Sequence, residues 1–228
     1  MLYCLKQTNG GMCMNILNQL ERKMYRLNLQ PFYRYIVYTM GAVYLFVMFF
    51  PTANLIQLFS FDAQLILQGQ VWRLLTFLVI PPLSSPLYTL LFLYFYYFLG
   101  TSLEAKWGVR RFFLYYVLGA LGAILGGFIT GHSTNTYLNM SLFFAFALIF
   151  PDYELLLFFI LPLKIKWIAA LNAFFFLFSF ISYPLSDKIA ILLSLANLFL
   201  FFGGDIYNKL RQSIYQYKRR KQFRSYFH

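Results

Sequence analysis

From residue 35 onward the chain holds five runs of 16 to 40 residues without Asp, Glu, Lys or Arg (35–61, 74–103, 112–151, 167–186 and 189–204), and these constrain the fold more than any motif does. In such a stretch apolar side chains fall on every face, so a helix built from it has no polar face to turn to water. About 20 residues suffice to cross a hydrocarbon core of about 30 Å. Charged residues make up 11% of the 228 and apolar ones 61%, whereas about a quarter of a soluble domain is charged. A soluble ball of this composition could not cover its own surface. The expected fold is therefore an all-α integral membrane bundle of six transmembrane helices.

The six spans are expected at about 35–53, 87–103, 112–130, 137–150, 167–183 and 188–202. Between the first two lies a connection, residues 54–85, that is too polar and too rich in proline to be a simple span (Asp62, Gln64, Gln68, Gln70, Arg73, Pro81, Pro82). A Phe/Leu-rich piece, Leu155–Leu163, is expected to be re-entrant or interfacial. The fourth span, about 14 residues stopped by Pro151, is too short to cross an average bilayer upright. Shielding by its neighbours would let it survive. Three regions follow: an N-terminal arm 1–32, a membrane domain 33–204 and a basic tail 205–228.

Orientation comes from Lys and Arg. With the N-terminus inside, the inside segments hold 17 of the 19 Lys and Arg residues, leaving Arg73 and Lys188 outside. That asymmetry is the positive-inside pattern and puts both termini in the cytoplasm. The net charge of +12 lies at span ends and in the tail. Its fitting partner is the anionic inner leaflet rather than nucleic acid. The tail cations Lys218, Arg219, Arg220, Lys221 and Arg224 suit lipid or a soluble partner, and equally suit plain topology anchoring. Cys4 and Cys13 form no disulfide framework or metal-ligand spacing, and no cofactor is implied. The arm lacks the apolar core of a cleavable signal peptide. Met14 reads as a natural start, and the lack of a eukaryotic-style targeting signal leads to a bacterial plasma membrane as the expected location.

Two polar or small-residue patterns stand out within the spans. Gly119, Gly122 and Gly126 on the third, with Gly122 and Gly126 four apart, permit close helix approach in lipid. Asn139, Ser141, Asn172, Ser194 and Asn197 are expected to hydrogen-bond between helices, each such contact contributing roughly 0.6–2 kcal/mol.

Three stretches together resemble the rhomboid superfamily of intramembrane proteins. The first is Gly69-Gln70-Val71-Trp72-Arg73-Leu74-Leu75-Thr76, similar to the family's W-R pair after span one. The second runs from Gly100 through Glu104 and Trp107 to Gly108, and looks like the G-x-x-x-E-x-x-x-G hinge between spans two and three. The third joins Phe150-Pro151 to Leu161-Pro162-Leu163-Lys164-Ile165-Lys166-Trp167, like the connection between spans four and five. The resemblance covers about residues 33–204 and implies a rhomboid-like six-helix domain. Each motif also has a physical reading. Trp72 suits the headgroup level, and Arg73 can grip phosphate or backbone carbonyls there. Glu104 is cheapest to keep if a nearby cation or backbone N–H answers it. All of these read as residues that keep the fold rather than perform chemistry.

Active rhomboids are serine proteases, and the resemblance then requires Gly-x-Ser on span four and a histidine base on span six. A serine hydroxyl is a weak nucleophile until a base takes its proton. The histidines here are His132, before span four, and the terminal His228. Ser141 has no glycine two residues before it, and the family's span-two polar positions fall by counting on Tyr88 and Phe92. The expectation is a non-catalytic relative, a pseudoprotease that binds or handles transmembrane client proteins. Asn139 and Asn197 lie about where the family keeps its dyad and are expected to face each other as a neutral hydrogen-bonded clasp. The alternatives are a protease using Ser141 with Lys188 or His132 as base, and a small-solute transporter. The spans carry essentially no charge, which weighs against transport.

Overall fold

A computed structural model describes residues 29–50, 54–157, 161–182, 188, 192 and 196–202. The expectations placed on the arm, on Ser194 and on the basic tail from Lys218 to Arg224 lie outside the described residues.

The described chain is mostly helical. Helix α1 (Tyr33–Phe49) ends two residues short of Pro51, as the restriction on residues before proline would have it. The connection that follows is not one element but a chain of small ones: α2 (Leu55–Phe59), strand β1 (Phe61–Asp62), α3 (Ala63–Leu67), α4 (Arg73–Thr76) and a 3₁₀ turn, Phe77–Val79. Asp62 starts α3 by accepting hydrogen bonds from the Gln64 and Leu65 amides at 2.9 and 3.1 Å. Then come α5 (Pro86–Trp107) and α6 (Val109–Thr130), strand β2 (His132–Ser133) and α7 (Thr136–Ile149). Strands β3 (Glu154–Leu157) and β4 (Leu161–Lys164) precede α8 (Ile165–Ser182), and residues 196–202 are helical.

Two corrections to the all-α expectation result. The Leu155–Leu163 piece, expected to be re-entrant or interfacial, departs from an all-α fold: its described ends form an antiparallel hairpin in which Glu154 pairs with Lys164 and Leu157 with Leu161. Pro162 removes a helical donor and favours this outcome, and strand pairing supplies the backbone partners that an irregular segment would lack. The second small sheet joins Phe61 to Ser133 and Asp62 to His132. It ties the connection to the segment just ahead of α7.

Among the described residues, helices α5 and α6, at 22 residues each, are the two long and apolar enough to cross a membrane. Their most apolar windows are only 28% and 44% buried, which is unlike the core helix of a soluble protein. Helix α5 packs on α1, α6 and α7. The contacts of α1 and α5 run in opposite senses, from Tyr33 against Gly100 to Gly41 against Leu93, so these two helices are antiparallel. Short α7 has eight buried residues out of 14, from Leu138 to Ala147. The core consists of Tyr33, Phe77, Phe112, Tyr115, Leu142 and Phe146 with their neighbours. Outward faces remain apolar: Leu87, Leu90, Leu91 and Tyr94 on α5 are all more than half exposed.

Candidate functional site

Six polar or charged residues are buried among those described: Arg73, Thr89, Glu104, Asn139, Ser141 and Asn197. Their partners divide them into two framework sites and one interhelical set.

The first framework site is Arg73. Its Nη1 donates to the Gln57 and Ser60 carbonyls at 2.6 and 2.7 Å, and Nε to Gln70 Oε1 at 2.7 Å. A guanidinium presents several fixed donors, so one side chain closes three turns of the irregular connection at once. Trp72, beside it, is 46% exposed. The connection is held down elsewhere by Thr89, whose hydroxyl is shared between the Pro82 and Ser84 carbonyls at 3.1 and 3.3 Å. Asn135 donates to the Leu78 and Ile80 carbonyls at 3.0 and 2.8 Å. Neither anchor was read from the sequence. Asn135 looks like a helix cap by position, but its side chain caps nothing and bridges to a segment 55 residues away.

The second framework site is the α5–α6 corner. The Phe32 amide, at the start of α1, donates to Glu104 Oε1 at 2.9 Å. Glu104 thus sits at the positive end of a helix 72 residues away in sequence. Lys106, Arg110 and Arg111, the cations nearest to it in sequence, form no salt bridge with it. Gly100 leaves room for Tyr33, whose ring atoms occupy the space a Cβ would need. Gly108, with φ 82° and ψ 151°, joins the two helices in a conformation essentially restricted to glycine. Trp107 packs against Tyr115 at 5.2 Å and Phe202 at 5.5 Å between ring centroids. Pro151 is exposed, and its carbonyl accepts from the Lys166 amide at 3.3 Å. Beside it, Lys166 Nζ donates to Asp152 Oδ1 at 2.7 Å. That bond and the same ammonium's charge hold the Asp152 carboxyl below its ordinary value, with Lys164 adding to the effect.

The interhelical set centres on Tyr115. Asn197 Nδ2 donates to the Tyr115 carbonyl at 2.7 Å, and the Tyr115 hydroxyl donates to the Ser141 carbonyl at 3.0 Å. The Ser141 hydroxyl is turned back on the Leu138 carbonyl at 2.8 Å within its own helix. The Asn139 side chain lies next to the Tyr96 hydroxyl. The direct Asn139–Asn197 clasp is therefore corrected: each asparagine takes a tyrosine residue on another helix, Asn139 on α5 and Asn197 on α6. Gly119 explains the second choice, because Asn197 Nδ2 lies 3.0 Å from the place its Cβ would occupy. The asparagine reaches the α6 backbone there before it meets α7. Asn197 Oδ1 is buried with no hydrogen-bond partner among the described residues. Half-buried Asn172 joins none of these bonds.

Of the expected packing glycines, Gly119 meets Leu138 and Asn197 closely. A further close approach falls at Gly127, where a Cβ would lie 2.5 Å from the Phe61 ring and 2.8 Å from Ser133 Cβ. Gly126 is buried and Gly122 half-buried. Tyr88 and Phe92, the positions reached by counting from Gly100, are exposed on the outside of α5. Inward on the same helix stand Thr89 and Tyr96. The alternative bases are elsewhere: His132 is exposed on β2, and Lys188 Nζ lies over the Phe180 ring at 5.8 Å. Among the described residues there is no group of three or more His, Cys, Asp or Glu residues able to hold a metal.

Comparison with protein-family models, curated proteins and solved structures gives no match.

Proposed function

We propose that the chain is a non-catalytic, rhomboid-like multi-pass membrane protein that binds or handles transmembrane segments of client proteins. In this reading it has six spans and both termini in the cytoplasm. The observation that carries the non-catalytic part is the state of Ser141. Its hydroxyl donates to the Leu138 carbonyl, and among the described residues the side chain bonded to its backbone is the Tyr115 phenol. A nucleophile needs the opposite arrangement, with its proton held by a base within reach. The neighbouring buried asparagines supply neutral hydrogen bonds, which suit holding helices together rather than moving protons.

The membrane part is supported by the two apolar 22-residue helices with largely uncovered windows, together with the distribution of Lys and Arg. The family part is supported by the residues that match rhomboid motifs and act here as framework: Arg73 closing the connection, Glu104 capping α1 and Gly108 turning the corner. Client handling is the role left to a rhomboid-like bundle without its chemistry. Its physical basis would be short α7 with polar side chains around it, beside helices whose outer faces are free to meet another helix.

Labelling of the purified protein with a fluorophosphonate probe, with Ser141→Ala alongside, tests the non-catalytic reading. Equal absence of labelling in both proteins supports it and directs effort to cross-linking for clients. Labelling that vanishes in Ser141→Ala would show an activated serine and make the protein a protease.

A further inference from the structure

Arg34 is the second residue of α1, and its Nε is buried without a hydrogen-bond partner among the described residues. Among the described residues it forms no salt bridge, and the carboxylate near enough for it to act on electrostatically is that of Glu104. Its guanidinium instead stands over the Tyr35 ring, 5.1 Å from the centroid. Tyr35 meets Tyr38 edge-on at 6.4 Å, and Tyr38 stacks on Tyr97 of α5 at 6.1 Å with the planes 18° apart. The Tyr38 and Tyr97 rings lie face to face in this stack, and Arg34 is near enough to Tyr38 to act on it electrostatically. A cation and three phenols thus line one outward strip across α1 and α5. Tyr35 and Tyr38 are more than half exposed and Tyr97 is 36% exposed.

The strip has a direction. At one end it has Arg34, with Lys106 exposed at the same end of the antiparallel partner helix. Away from that end the outward residues become apolar. Leu45 and Phe49 lie two and three helical turns beyond Tyr38, and Tyr94 and Leu90 one and two turns before Tyr97. A charge and hydroxyls leading into an apolar track match a headgroup joined to acyl chains. A free phosphate would use only the first part. Arg34 as a residue is partly exposed, and a phosphodiester oxygen is an acceptor suited to a guanidinium.

We propose that Arg34, Tyr38 and Tyr97 form a site for one anionic glycerophospholipid, with its phosphate at Arg34 and its chains along α1 and α5. The site rests on the membrane reading above but not on the absence of catalysis. It is separate from the basic tail, and it gives the bundle a bound lipid at the cytoplasmic rim of α1.

The test is native mass spectrometry of the full chain released from nanodiscs of mixed phosphatidylglycerol and phosphatidylcholine. Wild type should retain phosphatidylglycerol over phosphatidylcholine. Arg34→Gln should lower that retention about five-fold, the effect of one cation at an anionic surface. Arg34→Lys should keep most of it, and neutralising Lys218, Arg219, Arg220 and Lys221 together should leave it in place. Equal retention by wild type and Arg34→Gln, with both proteins folded by circular dichroism, would overturn the site. So would loss of the lipid only in the tail variant. Displacement by excess inorganic phosphate would overturn the lipid assignment in favour of a phosphate site. Failure of the wild-type chain to enter nanodiscs at all would overturn the membrane reading together with this one.

Discussion

Replacing Gly100 by alanine should destabilise the bundle well beyond an ordinary helix substitution. A Cβ at Gly100 would fall on the Tyr33 ring, with the ring's Cγ at 2.7 Å and two other ring atoms closer. Tyr33 is only 1% exposed, and its ring is set against Phe112 at 5.4 Å and Tyr116 at 5.8 Å, nearly edge-on to both. It cannot retreat without loosening those contacts, each contributing about 0.5–1.5 kcal/mol. The residue before it, Phe32, carries the amide bonded to Glu104, and a bond to a charged group contributes about 1.5–3 kcal/mol. Against these losses stands a gain of about 1 kcal/mol from removing a glycine from a helix interior. The net cost is about 3 kcal/mol, or a thermal midpoint lowered by about 6–12 °C for a chain of this size. Gly41→Ala is the internal control. Its Cβ would meet Leu93 Cδ1 at 3.8 Å, an ordinary contact, so only the helix gain remains and the midpoint should hold or rise. Melting of both variants in one detergent, followed by circular dichroism, makes the comparison. If Gly100→Ala melts with or above Gly41→Ala, Tyr33 does not lie against Gly100 and the α1–α5 packing described above is wrong.

Glu104→Ala should leave the Phe32 amide without its acceptor at a cost of about 1–3 kcal/mol, while Glu104→Gln keeps an oxygen in place and loses less. Equal melting of the two variants would mean that the carboxylate does not cap α1. The Asp152–Lys166 pair gives a pH test. A carboxyl held below its ordinary value contributes stability above the unfolded-state value of about 3.9 and loses it as pH falls through the lower folded-state value. The window is therefore below about pH 4, and the effect on stability is small because Asp152 is exposed. NMR titration should show the Asp152 midpoint moving up toward about 3.9 in Lys166→Gln; an unmoved midpoint would remove Lys166 as the cause.

Much of the helical layout was legible because apolar runs and their breakers are local. The pattern near 87–103 became Pro86–Trp107. It ran longer than expected because its end is set by the backbone of Gly108, not by the last apolar residue. Arg73 and Glu104 stood out in the sequence as charges that need partners. Which partners they have was not legible, because a backbone carbonyl or amide carries no signal of its own in a sequence. The answering groups are the Gln57 and Ser60 carbonyls and the Phe32 amide, and only the folded chain brings them near.

The asparagines show the same division more sharply. That Asn139 and Asn197 must find hydrogen bonds follows from their lying in apolar runs, where an unpaired amide is costly. That they find tyrosine residues on two different helices, rather than each other, was decided by the depth of the α6 surface at Gly119. Likewise Pro162 forbade a regular helix at its place in the chain, but the register of the β3–β4 hairpin is a matter of pairing. Where helices form and which polar residues need partners follow from period, charge and proline, which act over a few residues. The partners themselves depend on the packed fold, because close approach is set by which surfaces meet at a glycine and which side chain arrives there first.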